Sequence, residues 1–151
     1  MMDDLKKREG KELPAYSFVV ERGKIKEFVQ AVGDPNPVYV DRECAAREGY
    51  ADVIAPPTFG ICIDLWGGWD FVKLCEMFGL NPFKVLHGEQ EYEYYGEIHP
   101  GDEITARPRL ARVLSKEGKS GGIRMITLET TYFNQRGEKV LLARCLIVER
   151  R

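Results

Sequence analysis

The chain has 151 residues, 44% of them hydrophobic, and 22 Lys and Arg against 24 Asp and Glu give a formal net charge of -2. That length and apolar content suit a single domain over residues 1–151, and a near-neutral chain without a basic block argues against a nucleic-acid partner. The opening MMDDLKKREG is charged rather than apolar, and no run approaches the roughly 18 apolar residues of a membrane span, so a soluble, cytoplasmic protein with no membrane partner is expected.

Residues 1–14 carry little periodic pattern and are expected to form a flexible N-terminal segment. YSFVV (Tyr16 to Val20) reads as a short strand. In ERGKIKEFVQAVG, Ile25, Phe28, Val29 and Val32 recur at helical spacing and Gly33 stands where a C-terminal cap belongs. The helix stops at GDPNP (residues 33–37), where Asp34 and Asn36 stand between Gly33, Pro35 and Pro37. Such residues build a solvated turn or a polar site held rigid by prolines. DRECAAREG offers Asp41 as an N-cap and Gly49 as a stop for a second, short helix.

APPTFG places Pro56 and Pro57 before the first turn of a third helix. Phe59, Cys62, Ile63 and Trp66 share one face, Ile61 and Leu65 lie on the other, and only Asp64 breaks the apolar run. A helix apolar on most sides is expected to be buried, with Gly67-Gly68 loosening or ending it and WDFVKLCEMFG able to resume helical turns. From Val85 onward the period changes to that of strands. EQEYEYYGEI, EITARPRLARVLS, IRMITLETTYFN and KVLLARCLIVER read as four long strands, NQRGEK as a hairpin turn and SKEGKSGG as a longer, flexible one. Pro108 inside the second of them suggests an edge or a bulge. The chain is therefore expected to be α+β, an antiparallel sheet wrapped around a central helix.

Cys44, Cys62, Cys75 and Cys145 lie far apart without a C-x-x-C pair, and only His87 and His99 could join them in a metal site. Free structural thiols are the reading, and no metal or other cofactor is expected.

Four stretches together resemble the MaoC-like dehydratase and hydratase family, in particular its N-terminal-domain branch related to fatty-acid-synthase dehydratases. They are GDPNPVYVD followed by ECAAREGY, APPTFG at the central helix, LHGEQEYEY opening the meander, and IHPGDEI at the next strand. The resemblance runs from about Tyr16 to Val148 and implies the hot-dog fold, a curved sheet around a long central helix. It also implies reversible addition of water to a 2-enoyl thioester, or dehydration of a 3-hydroxyacyl thioester, carried on coenzyme A or acyl carrier protein.

Active members of that family read G-D-x-N-P-x-H, their Asp and His holding a water. Such chemistry needs a base for the attacking water, an acid for C2, and N–H donors for the thioester oxygen as it gains charge. Asp34 and Asn36 match here, but Tyr39 occupies the histidine position. A phenol with a reference pKa of about 10 is ionised in roughly one part in a thousand at pH 7, a penalty of about 4 kcal/mol for a base. Asp34 is then either a catalyst or a capping residue.

The family's N–H donors correspond to Thr58, Phe59 and Gly60 at the helix N-terminus. Gly60 either admits the thioester to the backbone or relieves packing against the sheet. His87 is a candidate substrate contact or a structural hydrogen-bonding group, and His99 reads as a loop residue. Members lacking the histidine imply half of a two-part enzyme, a homodimer or heterodimer with a catalytic hot-dog subunit. A self-sufficient hydratase or thioesterase, or an acyl-CoA binder without activity, are the other readings.

Overall fold

The computed structural model describes residues 4–117 and 121–150. Period-two alternation builds its sheet: in β3 (Glu103–Lys116) Ile104, Ala106, Pro108 and Leu110 are buried between exposed or half-buried neighbours, and in β4 (Ile123–Phe133) every second residue is buried. With β1 (Tyr16–Val19), β2 (Val85–Tyr94) and β5 (Lys139–Arg150), the five strands form one sheet in the order β1-β3-β4-β5-β2, all neighbours antiparallel. The four long strands expected from Val85 onward are all present.

The helices are α1 (Arg22–Val32), α2 (Arg42–Arg47), α3 (Gly60–Gly67) and α4 (Phe71–Phe78). Helix α1 ends on Gly33 in the left-handed conformation at φ 72°, which favours glycine. Asp41 caps α2 by accepting from the N–H groups of Glu43 and Cys44. One core cluster joins α1 and α3 to the sheet through Ile25, Val29, Phe59, Ile63, Tyr132 and Leu141. A second joins α4 through Cys75, Phe78, Leu110, Val113, Ile126 and Ile147.

The central helix is shorter than a long one, for a visible reason. It ends at Gly67, and a Cβ on Gly67 would lie 3.0 Å from the Ser17 carbonyl oxygen and from Phe18 Cβ, while one on Gly68 would lie 2.5 Å from the Asp64 carbonyl oxygen and 3.0 Å from the Tyr16 ring. The glycine pair therefore lets strand β1 close on the helix end. Burial also differs from the expectation: Phe59, Cys62 and Ile63 are buried, but Leu65 is 62% and Trp66 69% exposed. Lys24 lies over the Trp66 ring at 4.6 Å.

The N-terminal segment, expected to be flexible, is docked from residue 4 to 13. Leu5 is buried in the second cluster, Arg8 donates to the Met77 carbonyl at 2.7 Å, and Glu12 bridges to Arg109. This segment also explains Pro108. Strand β1 pairs β3 only as far as Ala106, and beyond it the Pro108 carbonyl accepts from the Leu13 N–H at 2.9 Å, so the proline lies where β1 has ended. A bulge follows between Leu110 and Arg112.

The NQRGEK hairpin forms, with Gly137 at φ 75° and the Asn134 N–H donating to the Glu138 carbonyl. Of the SKEGKSGG turn, residues 118–120 lie outside the described residues. Where α4 meets the sheet, Arg124 and Glu149 form a buried ion pair at 2.6 Å. Glu149 also accepts from the Asn81 N–H, and Arg124 donates to the Gly79 carbonyl.

Candidate functional site

The turn after α1 is wired by its own polar side chains. Asp34 Oδ1 accepts from the Asn36 N–H at 2.9 Å, and Asn36 Oδ1 accepts from the Val38 N–H at 3.1 Å, which caps a short 3-10 turn over Pro37–Tyr39. Buried Val38 pins the turn against Ala45 and Val53. Both motif residues thus do capping work, and one Asp34 oxygen is committed to it.

Tyr39, the last residue of this turn, is half-buried and faces a cleft of about 370 Å³ that it shares with Ile54, Pro57, Tyr94 and Ile98. Burial, and then the charge of Asp34, push its phenol above the ordinary tyrosine value. A tyrosine replacing the histidine base would need the opposite shift. Tyr94 donates to the Pro57 carbonyl at 2.8 Å, and its phenol is likewise raised by burial. The cleft wall therefore holds two protonated phenols among apolar groups beside the turn into α3.

At that turn the candidate donors separate. Phe59 is fully buried, edge-on to Phe18 and Phe28, and its N–H donates to the Pro56 carbonyl. Its side chain is core. Gly60 is also buried, and an added Cβ would come within 2.6 Å of the Tyr92 ring and 3.1 Å of Leu141, so its small size serves helix-on-sheet packing. Thr58 is exposed, and among the described residues the N–H groups of Thr58 and Gly60 have no hydrogen-bond partner.

His87 is not brought to this cleft. It stands near the opposite end of β2 from Tyr94, seven residues away or about 23 Å of strand. There it is exposed, with Nε2 3.3 Å from Gln90 Oε1. His99 sits in the turn before β3, its N–H donating to Asp102 at 2.8 Å. Among the described residues no group of three or more His, Cys, Asp or Glu could hold a metal ion, and all four cysteines are free.

Near His87 lies a second cavity, of about 260 Å³, walled by Ile61, Leu65, Leu74, Leu128 and Ile147. Its polar member, Asp64, was visible in the sequence only as the break in an apolar helix. Asp64 Oδ1 accepts from both the Tyr16 and Tyr132 hydroxyls at 2.6 Å. Burial raises its carboxyl to about 6 against the pull of those two hydrogen bonds. Tyr16 and Tyr132 lie 48 and 68 residues away along the chain, too far for any local spacing to announce them.

Comparison with known proteins places this geometry. Residues 8–143 match the family described as FAS1-like, dehydratase domain region. A UPF0336 protein of Thermobifida fusca is 37% identical over 139 residues, covering 92% of this chain and 88% of that protein. Among solved structures, the C-terminally truncated HadBC (3R-hydroxyacyl-ACP dehydratase) complex of Mycobacterium tuberculosis superimposes with a TM-score of 0.73 at 20% identity, over 91% of this chain and 96% of that one. A MaoC-like dehydratase does so with 0.77 at 24% identity, over 97% of this chain and 43% of that longer one. At these identities the structural likeness is one of fold, the hot-dog fold of MaoC-like dehydratases.

Proposed function

The chain belongs to the FAS1-like dehydratase domain region family, and from that premise we propose that it is the acyl-binding half of an enoyl-thioester hydratase or 3-hydroxyacyl-thioester dehydratase, with the proton-transferring Asp and His supplied by a partner hot-dog subunit. The observation that carries this is Tyr39 in the histidine position. Its phenol is pushed away from the range of a base, and the chain's two histidines lie elsewhere: His87 at the far end of β2, His99 in a turn.

The parts that remain suit a binding role. The Thr58 and Gly60 N–H groups at the start of α3 can meet a thioester oxygen, and the cavity walled by α3, α4 and the sheet can take an acyl tail. The carrier would be coenzyme A or acyl carrier protein. The HadBC complex, whose name describes a dehydratase of two components, supplies a precedent of the same fold.

The test is turnover. Loss of a general base costs about 100- to 10,000-fold, so the purified chain alone is expected to hydrate crotonyl-CoA very slowly while still binding it. Tyr39→His, which completes the motif beside Asp34 and Asn36, is expected to raise that residual rate. Adding a hot-dog subunit with an intact motif is expected to restore it. Brisk turnover by the unmodified chain alone, abolished by Asp34→Asn or His87→Ala, would instead make the enzyme self-sufficient.

A further inference from the structure

The 260 Å³ cavity is not lined as a plain hydrocarbon slot. Beyond its apolar walls it holds the Asp64 carboxylate and the Gln90 side-chain amide, with Tyr16, His87 and Thr130 also in its lining. Both Asp64 hydrogen bonds fall on Oδ1, and among the described residues Oδ2 accepts none. Gln90 Oε1 is taken up by the His87 ring, and Gln90 Nε2 is a buried donor without a partner. Buried polar atoms left unsatisfied are few in folded proteins and costly.

The two groups line the same chamber. Gln90 pairs directly with Cys145 across β2 and β5, so their side chains share a face about 5 Å apart. Both line the cavity, as Asp64 does. An acceptor and a donor thus sit together inside an apolar chamber with room for roughly eight water-sized groups at about 30 Å³ each.

We propose that this cavity is a subsite for an apolar ligand bearing one hydroxyl group, which donates to Asp64 and accepts from Gln90. A bare hydrocarbon would seal both groups from water and return no hydrogen bond. A hydroxyl is donor and acceptor in one atom, and it can meet either end of the Gln90 amide. The subsite deepens the acyl-thioester reading and rests on it for its natural ligand, which becomes an acyl tail oxygenated along its length rather than a plain saturated one.

The experiment separates the two claims by using probes without a thioester. The full chain, labelled with nitrogen-15, is titrated with 1-hexanol and with 1-fluorohexane, which matches its shape but cannot donate. The expected result is that the alcohol binds about tenfold tighter or more, with the Gln90 side-chain amide signals moving most. In Gln90→Leu, which removes the unpartnered Nε2 donor and keeps a group of similar size, the preference should fall several-fold.

Equal affinity for both probes, no binding of the alcohol, or a preference untouched by Gln90→Leu would each overturn the subsite. A third titration uses octanoyl-CoA and 8-hydroxyoctanoyl-CoA. Failure of both thioesters alongside a retained preference for 1-hexanol would refute the thioester reading while supporting the subsite. Tighter binding of the hydroxylated thioester would support both.

Discussion

A carboxylate that must stay in a largely apolar wall carries a pH signature, and Asp64 is the residue where it is readable. Its carboxyl stands at about 6 in the fold against 3.8 in an exposed chain, burial being the leading cause. The folded state therefore holds the proton more tightly than the unfolded one, so ionisation costs stability. The protein is favoured below about pH 4, and that contribution is lost as pH rises to about 6, where a plateau follows. A difference of about two pH units corresponds to about 3 kcal/mol at most. Asp64→Asn keeps a carbonyl oxygen for the Tyr16 and Tyr132 hydroxyls and cannot ionise. Its urea midpoint, compared with that of the unmodified chain, should be nearly equal at pH 4 and higher at pH 7.5, the gap corresponding to a few kcal/mol. A gap of the same size at both pH values would mean that the carboxyl does not titrate in this range. Tyr39 illustrates the opposite case at the same scale: burial and a neighbouring charge raise a group that is already protonated, so neutral pH leaves it a donor.

Elements were legible wherever a single period dominated. Strand alternation in β3 and β4, the Asp41 cap and the left-handed Gly33 all follow from neighbours a few residues apart, as does the placing of Asp34 and Asn36 in a rigid turn. What escaped depends on distant contacts. The N-terminal segment reads as polar and loose, yet a single Leu5 and hydrogen bonds to α4 and β3 dock it. The close approach of β1 to the end of α3 fixes the role of Gly67 and Gly68, and no local pattern reports it. Two predictions test these joints. Gly68→Ala should cost more than Gly60→Ala, because its Cβ would meet the rigid Asp64 carbonyl at 2.5 Å, whereas the Tyr92 ring that crowds Gly60 can move. Overpacking costs of about 1–3 kcal/mol are expected in thermal unfolding, and equal or reversed losses would contradict the assignment. Glu149→Ala should remove about 3 kcal/mol or more, since it takes the Glu149 carboxylate away from the buried Arg124 guanidinium and from the Asn81 N–H beyond α4. Glu149→Gln, which keeps one acceptor oxygen, should recover part of the loss.

At the scale of the whole molecule, the sheet is finished on one side and open on the other. Strand β1 is short, and the docked N-terminal segment that precedes it continues along β3, but β2 runs for ten residues and among the described residues pairs only with β5, leaving its other edge without a neighbouring strand there. An edge of that length is a template for another strand unless something covers it. Close to it the surface is apolar: Leu65, Phe71 and Leu86, each between 49% and 62% exposed, all line the second cavity. A half-exposed apolar cluster flanking an open edge marks an interface more readily than a solvated face. The expected state is therefore a dimer through β2, with a second copy in the absence of the partner and with the catalytic hot-dog subunit in its presence. Light scattering at micromolar concentration should give about twice the 17.2 kDa of one chain. Leu86→Lys offers the sharper measurement. In a lone chain this side chain is already 51% exposed, so a lysine there should leave the urea midpoint of a monomer nearly unchanged, while burying its charge between two subunits should raise the dimer dissociation constant at least about tenfold. A single-chain mass at all concentrations would overturn the dimer, and a dimer indifferent to that lysine would place its interface elsewhere.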